Sequence, residues 1–201
     1  MRKYLITGLG NPGTEYEDTR HNVGFWVLDA LADKLGVSFK QERYGMVARA
    51  TIKGRPVLLL KPATFMNLSG KAIRYWMEKE NIPVSQTLTV VDDIALPTGM
   101  LRMKIKGSDG GHNGLADIIE KLQTTRFPRL RVGVGNTFSK GRQIDYVLGR
   151  WDDDEVEIIR RKLPKSVDMI QSFIMIGPDR TMNLFNEKQQ NSGMDTASEN
   201  S

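Results

Sequence analysis

Residues 8–13 read GLGNPG, directly behind the apolar run KYLIT at 3–7. The spacing is that of a dinucleotide-binding turn, G-x-G-x-x-G after a strand, and the reading depends on whether a helix opens at the third glycine. None does. The segment TEYEDTRHN at 14–22 is polar and without an apolar period, and a 3.6-residue rhythm starts only at Val23, in VGFWVLDALADKLG. Pro12 also removes a backbone donor where a phosphate cradle would need one. A carboxylate for a ribose is due about 20 residues on, at the end of a second strand, but Asp29 and Asp33 fall inside the helical pattern. GLGNPG therefore predicts a rigid turn between a strand and a loop, and no nucleotide cofactor.

From that first strand outward, apolar runs alternate with helical periods. Strands are expected at 3–9, 46–52, 56–61, 87–92, 100–106 and 130–135, and helices at 22–35, 68–80 and 113–123. The acids of DDDEVE at 152–157 suit the start of a further helix, which Pro164 should kink or divide, and a short helix near 179–187 should close the domain. The pattern is α/β with a mainly central sheet. One domain is expected over 1–187, followed by a disordered tail at 188–201, which lacks large apolar residues apart from Met194.

With 201 residues, 39% hydrophobic and 26% charged, the chain suits a single domain with a full core. It has no apolar run long enough to span a membrane and no signal-peptide core, so a soluble, cytoplasmic protein is expected. The absence of cysteine excludes disulfides, thiolate nucleophiles and Cys-ligated metals. The net charge of +5 falls between residues 100 and 165. Lys104 and Lys106, like Arg129 and Arg131, sit two apart and would share a strand face; Lys140 and Arg142 follow in a loop. Such pairs suit the phosphates of a polyanion, or form a solvated edge.

No G-x-S-x-G, Walker A or HExxH motif is present, which removes the main supports of the serine hydrolase, P-loop and zincin readings. With two histidines in the chain and no diagnostic ligand spacing, no metal is expected. Polar residues cluster where strands end: Asn11, Asn67, Asp92 with Asp93, and GGHNG at 110–114. Ligand sites in open α/β sheets lie at these carboxyl ends. His21, just before a helix, is either a cap or an acid–base group. Asp92 or Asp93 could orient it; consecutive strand residues face opposite ways, so one of the two reaches the ring. Neutral amides can recognise a peptide or stabilise an oxyanion. Together these groups suit attack of water on an acyl carbonyl.

The residues that carry this reading resemble the bacterial-type peptidyl-tRNA hydrolase family, through LITGLGNPGTEYEDTRHNVGF, KPATFMNLSGKAI, VDDIALPTGMLRMKIKGSDGGHNGL, RLRVGVG and YVLGRW, across about residues 3–187. The resemblance implies a monomer with a twisted mixed β-sheet surrounded by α-helices. It also implies metal-free hydrolysis of the ester between a peptide and the 3′-terminal ribose of tRNA. By position, His21 resembles the general base, Asp93 the carboxylate that holds it, and Asn11 the residue that separates N-blocked from free aminoacyl esters. Asn67 and Asn113 resemble substrate-binding amides, Tyr16 and Phe65 residues near the tRNA 3′ end, and Lys104, Lys106 and Arg131 the phosphate-binding surface. Ala95 and Asp109 depart from the family pattern, where a second acid and a small residue are common. The alternative is a non-catalytic RNA-binding protein on the same fold.

Overall fold

The computed structural model describes residues 2–188. Its seven strands are β1 Tyr4–Gly8, β2 Lys40–Glu42, β3 Gly45–Ile52, β4 Arg55–Pro62, β5 Thr87–Asp93, β6 Leu101–Lys104 and β7 Arg129–Gly133. They form one mixed sheet ordered β2-β3-β4-β1-β5-β7-β6. The four central strands β4, β1, β5 and β7 run parallel, and β2 with β3 at one edge and β6 at the other add antiparallel. The helices are α1 Val23–Leu35, α2 Ser69–Glu80, α3 Asn113–Leu122, α4 Gln143–Val147, α5 Asp153–Ile176 and α6 Pro178–Phe185.

Central strands with helices on both faces must be apolar on both faces, and alternate residues here feed two cores. Ile6, Leu59, Val90 and Val132 pack with Leu31 of α1 and Phe173 of α5. Leu5, Leu58 and Val91 pack with Trp76 of α2 and Ile118 of α3 on the other side. The α/β reading holds, and the sheet is the middle of three layers.

GLGNPG is where the first strand meets α1. A Cβ on Gly8 would lie 2.3 Å from the Gly24 carbonyl oxygen, and one on Gly24 would lie 2.5 Å from the Leu9 nitrogen and 2.7 Å from the Val90 oxygen. Strand and helix therefore touch backbone to backbone. Gly13, at φ +110°, turns the chain into a region open to glycine. The polar segment that follows folds into two short 3-10 turns, Thr14–Tyr16 and Arg20–Asn22, before α1 starts at Val23.

Two expectations are corrected, and two short elements were not expected. Helix α5 runs from Asp153 to Ile176 with Pro164 inside it, so the proline does not divide it. Strand β6 stops at Lys104, so Lys106 lies beyond the strand and does not share its face with Lys104. The pieces β2 and α4, three and five residues long, are too short to show a period in sequence. The expected tail falls, from residue 189 on, outside the described residues. No described helix is long and apolar enough to cross a membrane.

Candidate active site

The carboxyl ends of the four parallel strands open into a cleft of about 590 Å³. The loop after β1 brings Asn11, the turn after β4 brings Phe65 to Asn67, the end of β5 brings Asp92 and Asp93, and the loop before α3 brings His112 and Asn113. His21, from the 3-10 turn before α1, and Tyr16 join the same lining. Of the residues singled out in the sequence, Lys104 and Arg131 also line the cleft, whereas Lys106 does not.

The carboxylate that reaches His21 is Asp92, not Asp93. His21 Nδ1 donates to Asp92 Oδ2 at 2.7 Å, with His21 6% and Asp92 4% exposed. The reason is the alternation of β5. Val90 packs on the face covered by α1, so Asp92, two residues on, points to the helix that His21 precedes. Val91 packs on the opposite face, and there Asp93 meets Arg131, whose Nε donates to Oδ2 at 2.6 Å.

Asp92 has a second partner that sequence reasoning left out. His112 Nε2 donates to Asp92 Oδ1 at 2.7 Å. Its Nδ1 caps α3 by accepting from the Gly114 and Leu115 amides at 3.0 and 3.3 Å, which puts the ring proton on Nε2. The two imidazoles lie 4.7 Å apart, centroid to centroid. Burial opposes the charge on Asp92, but both histidines outweigh it and hold the carboxyl well below its usual range. For His21, burial likewise opposes the imidazolium, but the charge and hydrogen bond of Asp92 prevail and raise its pKa above the ordinary value. Ligand atoms of His21, Asp92 and His112 lie within 4.8 Å of one another. A cation held there would have to displace the protons that both rings give to Asp92.

Asn11 is locked on three sides. Its backbone N–H donates to Asn22 Oδ1 at 2.8 Å, its carbonyl accepts from Asn22 Nδ2 at 2.9 Å, and its Oδ1 accepts from the Met66 amide at 2.7 Å. With its oxygen committed, the Asn11 NH₂ is the part of the side chain available as a donor. Asn22 thus ties the GLGNPG turn to the segment of His21, a role whose only sequence signal was its place beside that histidine. Arg20, on the other side of His21, is pinned by a bidentate pair with Glu155 at 2.7 and 3.2 Å. Glu155 also completes the capping box that starts α5, so one carboxylate anchors both the helix and the histidine turn.

The basic flank comes from β6 and β7. Arg129 is 2% exposed and donates to the carbonyls of Thr125 and Ser108 at 2.8 and 3.3 Å, with its guanidinium 3.9 Å from the Phe127 ring. Burial, with Arg131 beside it, lowers its pKa to about 10, and it stays a cation at neutral pH.

The family model described as peptidyl-tRNA hydrolase matches residues 5–193. Proteins named peptidyl-tRNA hydrolase from Phocaeicola vulgatus and Bacteroides fragilis are each 54% identical over 186 residues, covering 92% of this chain and all of theirs. One of the same name from Geobacillus kaustophilus is 41% identical over 184 residues, covering 91% of this chain and 99% of that protein. The crystal structure of peptidyl-tRNA hydrolase from Acinetobacter baumannii superposes with a TM-score of 0.86 at 36% identity, over 91% of this chain and 94% of that one.

Proposed function

The chain belongs to the peptidyl-tRNA hydrolase family, an enzyme family of ester hydrolases, and from that premise we propose that His21 is the base with which it cleaves peptidyl-tRNA. The observation that carries this reading is the His21–Asp92 hydrogen bond at the floor of a cleft lined by side-chain amides. Asp92 accepts the hydrogen bond from Nδ1–H and stays ionised, so Nε2 is the nitrogen that can accept a proton from water. The water oxygen attacks the ester carbonyl while its proton moves to Nε2, and Asp92 stabilises the resulting imidazolium. Collapse of the tetrahedral intermediate breaks the bond to the ribose 3′ oxygen, which takes the proton back from His21. No step calls for a metal or a covalent enzyme intermediate, since an alkoxide from a ribose is a better leaving group than an amide nitrogen.

Donors must await the charge that develops on the carbonyl oxygen. The Asn11 NH₂ is held for a carbonyl of the peptide, and Asn67 and Asn113, both exposed on the cleft, supply further amides. Tyr16 and the 58% exposed Phe65 offer rings to the unpaired bases of a tRNA 3′ end. Lys104 and Arg131 would contact backbone phosphates. All these groups come from one chain, which suits action as a monomer; release of tRNA and peptide would serve translation, and a cytoplasmic place of action follows from that substrate.

The test is hydrolysis of N-acetyl-aminoacyl-tRNA and of its unblocked counterpart by the native protein and by His21→Ala. Release of tRNA from the blocked ester alone is expected. The variant is expected to lose about 10²–10⁴-fold in kcat while still binding tRNA. Unaltered kcat would reject His21 as the base, and tight tRNA binding without release by the native protein would favour the non-catalytic RNA-binding reading.

A further inference from the structure

The strand register collects four cations on one face of a two-stranded ribbon. Arg102 lies opposite Arg131, and Lys104 opposite Arg129. Like charges directly across a strand pair repel; Arg129 spends its donors on the Thr125 and Ser108 carbonyls and Arg102 donates to the Glu187 carbonyl, which leaves Lys104 and Arg131 on the cleft to meet an anion. Among the described residues only Asp93 forms an ion pair with any of the four. Its carboxylate is fixed: Oδ1 accepts from the Ala95 amide at 2.8 Å while Oδ2 holds Arg131 Nε at 2.6 Å. Arg131, on a long side chain, is the movable partner. Both groups keep contact with solvent, at 20% and 13% side-chain exposure, so the pair can open without burying a bare charge.

We propose that Asp93 is an internal stand-in for phosphate, a counter-ion that occupies Arg131 in the free protein and yields it to a tRNA phosphate on binding. The inference rests on the proposed tRNA substrate. Its consequence runs opposite to that of an ordinary structural or orienting residue, because Asp93 lowers affinity for tRNA and thereby hastens release of the deacylated product. A bound phosphate must first break the Arg131 pair, and Asp93 then faces the incoming anion.

The experiment is binding of deacylated tRNA across a salt series by the native protein, Asp93→Asn, Arg131→Ala and the double variant. Asn preserves the size of the side chain and an acceptor for the Ala95 amide. Asp93→Asn is expected to tighten binding about 3–10-fold at low salt and to steepen the dependence of log K on log salt by roughly one. In the Arg131→Ala background the same substitution is expected to change affinity by less than about 2-fold, as coupling through Arg131 requires. Weaker binding by Asp93→Asn, an unchanged slope, or an equal gain in both backgrounds would overturn the proposal while leaving the tRNA substrate standing. Absence of salt-dependent tRNA binding by the native protein would overturn both.

Discussion

His112 commits both ring nitrogens, one to the amides that open α3 and one to Asp92. His21 commits only one. In the proposed mechanism that difference separates two histidines that look alike in sequence: the ring with a nitrogen to offer serves as the base, and the other as its scaffold. Because Asp92 raises the pKa of His21, the neutral form needed to accept a proton prevails only above the ordinary imidazole value. The acid limb of kcat/KM should therefore lie above that value, and Asp92→Asn, which removes the charge that holds the proton, should move the limb to lower pH and reduce kcat. A pH–rate profile of both proteins checks the sign, and a limb that stays in place would show that Asp92 does not act on His21 electrostatically. At this scale the sequence showed that only one of two adjacent aspartates could face the ring, but not which one. That depended on which face of β5 receives α1, a fact of packing that the two letters do not carry. Family position favoured Asp93 and was off by one residue, which on a strand means the opposite face.

At the scale of elements, periodicity located every long strand and helix to within a few residues. What it missed has physical causes. Two lone prolines illustrate the limits: Pro12 sits in the rigid turn that was read, whereas Pro164 is carried within a 24-residue helix whose packing on α1 and the sheet outweighs one lost hydrogen bond. The first glycine of GLGNPG was legible as unusual but not as a contact, since its partner, Gly24, lies in another element. Gly24→Ala would press a methyl group onto the Leu9 and Val90 backbones, which cannot turn aside as side chains do. A loss of about 1–3 kcal/mol is expected from such overpacking, equivalent to a fall in Tm of roughly 2–4 °C per kcal/mol at this chain length. Calorimetry on the variant is the check, and an unchanged Tm would mean that strand and helix can separate without cost.

Across the whole molecule, the +5 net charge and its place between residues 100 and 165 were readable from the sequence, and so was the Arg129–Arg131 pair on β7, but the lysine pair was not. Half of the expected lysine pair lies on the ribbon and half beyond it, because β6 ends at Lys104. Lys104→Ala should accordingly raise KM for a tRNA ester and flatten its salt dependence by about one phosphate contact, whereas Lys106→Ala, outside the cleft lining, should change both less. Kinetics at two or more ionic strengths separate the two lysines; equal effects would extend the tRNA surface past the strand end.

The contact between Gly8 and Gly24 also has a mechanical meaning. It makes the cleft a vise with one fixed jaw: Asn11 and His21 ride on main chain pressed against main chain and laced by Asn22, so they cannot part. The facing jaw, residues 107–111, is tied to the described residues beyond its own turn by one main-chain bond, from the Gly107 amide to the Thr125 carbonyl at 3.2 Å, and by the tips of long side chains, Arg129 donating to the Ser108 carbonyl at 3.3 Å and Gln143 to the Gly111 carbonyl at 3.5 Å. Compliance is therefore one-sided. Amide exchange should be slow at Leu9 and Asn11, whose N–H groups are bonded to the Val90 carbonyl and to Asn22, and fast at Ser108 and Gly110, and deacylated tRNA should slow the second pair far more than the first. In the proposed reaction the groups on the fixed side would keep their spacing through a turnover, and adjustment to the substrate would fall to the loop at 107–111.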